Sequence, residues 1–323
     1  MAVRVFVAGG TGVIGRRLVP QLVAHGHQVT ATTTSAAKLG LLELLGAEGV
    51  VMDGLDAVSV GQAVATARPD AIVNQMTALS EAHAGKPNLR NPDRFFAGTN
   101  RLRSEGTDHL LAAAEATGVA SFVAQGAAIF NGNREGRWVT TEEDPLDLGT
   151  GAMARKLAAG TKAISHLEDA VVSAGGAVLR YGSLYGPGAT DDQVKLVRRR
   201  LFPLIGGGTG YFSWVHLDDA ASATVLAVEQ HASGISGVFN IVDDEPAPVS
   251  EWLPYLAACA GARPPRRMPR WLARLLAGDM VVGMMTEGRG FSNARAKREL
   301  GWQLRYPSWR QGFKKELALS PAR

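Results

Sequence analysis

The sequence predicts an α/β protein: a doubly wound parallel sheet with helices on both faces, followed by a small, mainly helical C-terminal lobe. Three observations carry this. Short apolar runs alternate with helical patterns through the first half of the chain. The first run leads directly into a glycine-rich turn and an amphipathic stretch. After about residue 182 the alternation loosens into glycine-rich loops, and residues 244–319 read as mostly helical.

In chain order, "RVFVA" (4–8), "QVTAT" (28–32), "GVVMD" (49–53) and "AIVNQ" (71–75) read as strands, as do "SFVAQ" (121–125), "AVLRY" (177–181) and "GVFNIVD" (237–243). Runs this short and this apolar suit a sheet buried on both faces. Between the first two lies a helix with Ile14, Leu18 and Leu22 at helical spacing, and Pro20 inside it is expected to kink it or remove one hydrogen bond. "HLDDAASATVLAVEQ" (216–230) reads as a helix with Asp218 and Asp219 at its positive end. A proline-rich joint occupies 264–269. The expected organisation is a dinucleotide-binding domain over 1–182, with 212–243 returning to it, a substrate lobe from 183–211 and 244–319, and a tail at 320–323.

Composition narrows the function classes. With 46% hydrophobic and 20% charged residues, the 323-residue chain can bury a substantial core. The net charge of +4 is mild for this length. Arginines cluster at 197–200 and 263–274 without the interleaved aromatics of a nucleic-acid surface, so no nucleic-acid partner is expected. The single cysteine, Cys259, excludes an intramolecular disulfide and a thiolate zinc cluster, and no metal site is expected. No run of eighteen apolar residues occurs, and a cytoplasmic protein without a membrane partner is the expectation.

"VFVAGGTGVIG" (5–15) places Gly9, Gly12 and Gly15 between a strand and a helix. The first permits the tight turn, the second lets a pyrophosphate approach the backbone, and the third lets helix and strand pack closely. The helix N-terminus then faces the anion. The spacing, glycine every third residue, resembles the extended, epimerase/dehydratase-like branch of the short-chain dehydrogenase/reductases. Five later stretches carry the same resemblance in the expected order: "MDGLD" (52–56), "EGTDHLLAAAEATGV" (105–119), "LRYGSLYGPG" (179–188), "WVHLDDAASA" (214–223) and "SNARAKRELGW" (292–302). The resemblance implies a Rossmann-like fold, an Asp53 contact to adenine, and a homodimer.

The cofactor expected is NADP, with NAD as the alternative. No Asp or Glu lies between Gly15 and Glu43, so no carboxylate is placed to hold an NAD ribose or to repel a 2′-phosphate. Thr33, Thr34 and Ser35 offer hydroxyls there, and Arg16 or Lys38 a positive charge. Val13, Ile14, Gly54, Leu55 and Gln75 complete the expected cofactor contacts.

The catalytic slots implied by the resemblance are a Ser or Thr followed by Tyr-x-x-x-Lys. The serine positions hold Gly126 and Ala127, and the tyrosine position holds Ala152. Only Lys156 survives, and the resemblance gives it the nicotinamide ribose. Alanine cannot transfer a proton, a contribution worth about 10²–10⁴ in rate. Tyr181, Tyr185 and His216 are the residues expected to face the substrate in its place, and Lys156 is a further candidate for the acid, because a lysine's pKa shifts readily on desolvation. Substrates whose reduction leaves a stabilised anion need less acid assistance, and the Met-rich "GDMVVGMM" (278–285) suits a pliable apolar ligand. The sequence reading is therefore an NAD(P)-dependent oxidoreductase acting on an apolar, aromatic or polyketide-like small molecule. A non-redox isomerase or cyclase, and a non-catalytic NADP-binding regulator, remain as alternatives.

Overall fold

The computed structural model describes residues 2–79, 92–128, 137–145, 152–230 and 234–318, with side chains throughout except at 92–93 and 152–157. Seven parallel strands form the central sheet: β1 (Arg4–Ala8), β2 (Gln28–Thr33), β3 (Glu48–Val51), β4 (Ala71–Asn74), β5 (Ser121–Ala127), β6 (Ala177–Tyr181) and β7 (Gly237–Ile241). Their spatial order is 3-2-1-4-5-6-7, so the winding reverses between β1 and β4. That is a Rossmann sheet, and ligands bind outside the carboxyl ends of the strands where the order reverses.

Thirteen described helices surround it. In chain order they are α1 (Gly15–Ala24), α2 (Leu39–Leu44), α3 (Ala57–Ala67), α4 (Pro92–Arg101), α5 (Thr107–Thr117), α6 (Ala152–Ser173), α7 (Asp191–Arg198), α8 (Leu217–Glu229), α9 (Val249–Cys259), α10 (Arg270–Ala277), α11 (Asp279–Glu287), α12 (Ala294–Leu300) and α13 (Trp309–Ala318). One face of the sheet packs on α1, α8 and α12 through Leu18, Leu22, Ala220, Ala223 and Leu300. The other packs on α3, α5 and α6 through Val60, Val64, Leu110, Leu167 and Val171. Both sides are covered, and β1, β4, β5 and β6 are buried along nearly their whole length. Pro20 sits inside α1 without ending it, on the exposed side, where the missing N–H costs one bond and no packing.

The C-terminal lobe has its own core, built from Trp214, Trp252, Leu253, Tyr306, Trp309 and Phe313. Asp219, at the start of α8, ties the two parts: its carboxylate accepts from the backbone N–H groups of Arg305 and Tyr306 at 2.7 and 2.9 Å. Residues 294–302 differ from the sequence division. Ala296, Leu300 and Trp302 are buried with the sheet core rather than with the lobe.

Candidate functional site

The glycine turn after β1 has the predicted build. Gly9 adopts φ +93°, and a Cβ there would lie 2.8 Å from the Gln75 carbonyl oxygen, so only glycine fits. At Gly15 a Cβ would lie 2.5 Å from the Gly10 carbonyl oxygen, which is the close approach of helix to strand. Gly12 is different. It is exposed, and a Cβ would meet only the Gly9 carbonyl oxygen at 3.3 Å. The space above Gly12 is therefore open, as an approaching pyrophosphate requires. Among the described residues no side chain caps α1 and its first turn holds no acid, so its N-terminal end carries no competing negative charge.

Around the turn the carboxyl ends of β2, β3 and β4 supply the remaining walls. Thr32 Oγ1 accepts from the Gly9 N–H at 3.0 Å and fixes the turn to β2. Thr33 is buried and accepts from the Ser35 N–H at 3.3 Å, whereas Thr34 and Lys38 are exposed. Arg16 donates from Nε to the Thr11 carbonyl at 2.9 Å, and Thr11 Oγ1 lies 3.5 Å from Thr33 Oγ1. The guanidinium is thus held by one bond near the end of β2, and it has no ion pair among the described residues. Asp53 is exposed and accepts from the Leu55 N–H at 2.9 Å, and Gly54 is buried behind it. Val13 is exposed while Ile14 belongs to the core. Gln75 is buried, and its Oε1 has no partner among the described residues. An orphaned acceptor beside an open glycine face and an uncapped helix N-terminus fits a dinucleotide.

The three candidates for substrate chemistry differ in their surroundings. Tyr181 is buried in the core with its hydroxyl turned to α8. Gln75 Nε2 donates to it at 3.0 Å, it lies 2.6 Å from Thr224 Oγ1, and Thr224 donates to the Ala220 carbonyl at 2.8 Å. Burial lifts its pKa to about 12. Tyr185 is fully buried between Trp214, His216 and Phe313, its hydroxyl has no partner among the described residues, and burial raises its pKa. His216 caps α8, accepting from the Asp218 N–H at 3.1 Å, and stacks on Tyr306 at 3.9 Å. Burial lowers its pKa. Of the three, Tyr181 alone borders the cavity described next, and with its hydroxyl already engaged. Lys156 and Ala152 lie in the first turns of α6, and their side chains fall outside the described residues.

A cavity of about 270 Å³ lies beyond the carboxyl ends of β5 and β6, beside the dinucleotide crevice and under the lobe. Gly126 and Ala127 form its sheet side, and Leu184, Tyr211, Phe212, Met284 and Phe291 give it an apolar, aromatic lining. A Cβ on Gly126 would lie 2.8 Å from Val178 Cγ1, so the strands have closed over the position where the resemblance places a serine. Sequence reasoning missed two groups here. Tyr211 lines the cavity and stacks on Trp138 at 5.4 Å, and Arg289 lies over the same Trp138 at 4.2 Å. The other is Arg103, in a π turn (Leu102–Gly106) between α4 and α5. Arg103 stands on the same helical stripe as Gly106, Leu110 and Ala114. An arginine on an otherwise apolar stripe is the signal that marks it.

Residues 5–241 match the sequence family described as "NAD dependent epimerase/dehydratase family". A Streptomyces protein named "3-diazoavenalumate denitrifying reductase" is 43% identical over 97% of this chain and 100% of its own length. A "2-alkyl-3-oxoalkanoate reductase" of Stenotrophomonas maltophilia is 28% identical over 80% of this chain and 76% of its own. Among solved structures, a human epimerase family protein with NADPH superposes with a TM-score of 0.75 at 22% identity, covering 98% of this chain and 99% of that one. Sheet order, glycine turn and a sequence match running from β1 through β7 agree, and the chain belongs to the NAD-dependent epimerase/dehydratase family.

Proposed function

We propose that this protein is an NADP-dependent reductase that delivers hydride to an aromatic substrate whose reduction consumes no proton, an aryl diazonium acid being the substrate class. The observation that carries this reading is an apolar, aromatic cavity whose sheet side is Gly126 and Ala127, neither of which can donate a proton from its side chain. Where the family resemblance calls for a serine, a tyrosine and a proton, the chain offers Gly126, Ala127 and Ala152. Bound reduced nicotinamide supplies one hydride, and hydride with R–N₂⁺ gives R–H and N₂ with atoms and charge in balance. No group has to protonate an oxygen, so the missing acid is no defect. The name of the 43% identical relative, a denitrifying reductase of a diazo acid, describes the same bond change.

The chain's own residues orient and enclose. The open face at Gly12 and the α1 N-terminus take the pyrophosphate, Gln75 Oε1 takes a donor, and Asp53 closes the adenine end. Arg16 with Thr33, Thr34 and Ser35 meets a 2′-phosphate, which favours NADP over NAD. Lys156 holds the nicotinamide ribose. The aromatic wall of Tyr211, Phe212 and Phe291 excludes water from the reacting face. Tyr185 and His216 hold the fold behind this surface, Tyr181 borders it with its hydroxyl already engaged, and none of the three transfers a proton.

The test is incubation of the purified protein with NADPH and diazotised 4-aminocinnamate. The expected result is one cinnamate and one N₂ per NADPH oxidised, above the rate without protein. No protein-dependent NADPH oxidation overturns the reading. A ketone reductase is the second reading, because Tyr211 brings a phenol to the cavity. It predicts that Tyr211→Phe loses about 10²–10⁴ in rate, whereas the diazonium reading predicts a change within about threefold.

A further inference from the structure

Two arginines lie within three residues of each other at the π turn, and they are treated oppositely. Arg101 is exposed and holds Glu105 with two hydrogen bonds, at 2.9 and 2.7 Å. Arg103 is buried, 8% exposed, and has neither a carboxylate nor a hydrogen-bond partner among the described residues. A buried guanidinium is ordinarily paired, because desolvating an unpaired charge costs several kcal/mol. Burial does lower the Arg103 pKa, to about 10, which still leaves it cationic at neutral pH. Among the described residues this positive charge is therefore left uncompensated on the wall of an apolar cavity. A π turn inserted in a helix is a costly local form that tends to be kept at working sites.

We propose that Arg103 is the receptor for a carboxylate on the substrate, and that the cavity selects planar, apolar-bodied acids. A bidentate guanidinium–carboxylate pair satisfies the charge in the one geometry that a planar fork prefers. The aromatic lining takes the body of the acid, and the volume of about 270 Å³ suits a single-ring molecule. Arg289, lying on Trp138 at the same wall, adds positive potential without facing the acid alone. This assignment rests on reading the cavity as the substrate site, and it concerns binding rather than hydride transfer.

The test is calorimetric titration of the full-length protein with cinnamate and with cinnamamide, with NADP⁺ present and absent, for the parent, Arg103→Gln and Arg103→Lys. The expected result is that cinnamate binds the parent at least about tenfold more tightly than cinnamamide. Arg103→Gln then loses about ten- to a hundredfold for cinnamate and keeps its affinity for cinnamamide and NADP⁺. Arg103→Lys falls between. Because the unpaired charge burdens the ligand-free fold, the melting temperature of Arg103→Gln is expected to equal or exceed that of the parent. Equal affinity of the parent for acid and amide, or undiminished cinnamate binding by Arg103→Gln, overturns the proposal. So does a parallel loss of NADP⁺, which would assign Arg103 to the cofactor. Acid-selective binding without turnover of the diazonium acid leaves Arg103 as the receptor and removes only the hydride-transfer reading.

Discussion

Gln75 Nε2 donates to the Tyr181 hydroxyl at 3.0 Å, and this contact starts a relay that ends on a backbone carbonyl. Thr224 spends its proton on the Ala220 carbonyl, so Tyr181 must donate to Thr224 and accept from Gln75. The Tyr181 proton is committed inside the core. Tyr181→Phe therefore removes a structural link and leaves Gln75 Nε2 and Thr224 Oγ1 short of a partner. The expected loss is about 1–3 kcal/mol of stability in a denaturant titration, with kcat within about twofold of the parent. A fall of about 10²-fold in kcat with stability intact would make Tyr181 the acid after all.

The glycine turn separates folding from binding at neighbouring positions. Gly9→Ala puts a Cβ 2.8 Å from the Gln75 carbonyl in a left-handed residue, and the variant is expected to lose solubility or cooperative unfolding. Gly12→Ala meets only one oxygen at 3.3 Å, so it should fold with a melting temperature close to the parent's. Its methyl group nevertheless stands where a pyrophosphate approaches. NADPH affinity is expected to fall by at least about tenfold, ~1.4 kcal/mol. Unchanged affinity would mean that this face does not receive the cofactor.

These two cases show what a sequence can carry. The succession of strands along the chain and the glycine turn after the first are legible because each depends on residue type at fixed spacing. Which way a strand residue points is not. Tyr181, on β6, borders the cavity but turns its hydroxyl to α8, and because all five residues of the strand are buried no alternation reveals that direction. Tyr185 and His216 lie on strands of three residues, Ser183–Tyr185 and Trp214–His216, too short for any period. Arg103 escaped because an arginine near a helix middle ordinarily means solvent, and a π turn shifts the phase by which a buried face is recognised. Residues 294–302 read as lobe because they follow the lobe in sequence, yet Leu300 and Trp302 bury their side chains with β7 and α8.

The proposed preference for NADP is tested at Arg16. Its Nε is anchored to the Thr11 carbonyl at 2.9 Å, leaving the terminal nitrogens beside the β2 end. The side chain is exposed, so its contribution to a phosphate is at the low end for a charged hydrogen bond. Arg16→Ala is expected to weaken NADPH by about five- to tenfold and to leave NADH unchanged, read by paired titrations. Equal weakening of both would place Arg16 at the pyrophosphate instead of the 2′-phosphate.

Asp243 should write a pH slope into stability. Its carboxylate lies behind Trp214 in the lobe core, accepts from the Glu245 N–H at 3.1 Å through one oxygen, and has no partner for the other among the described residues. Burial lifts its pKa from 3.8 to about 8. Between those values the folded chain holds a proton that the unfolded chain has lost, so the proton-binding difference favours folding at low pH and fades as pH rises. The contribution is complete below about pH 4 and is gone once pH passes 8. Asp219, also raised by burial, adds a slope of the same sign. Asp243→Asn keeps the oxygen that accepts from Glu245 and removes the titration. Urea midpoints measured from pH 5 to pH 8 are thus expected to fall with rising pH in the parent and to fall less in the variant, so that the variant gains on the parent most at pH 8. Parallel slopes would mean that Asp243 is already ionised in the folded chain, and that water reaches the oxygen the fold leaves unpaired.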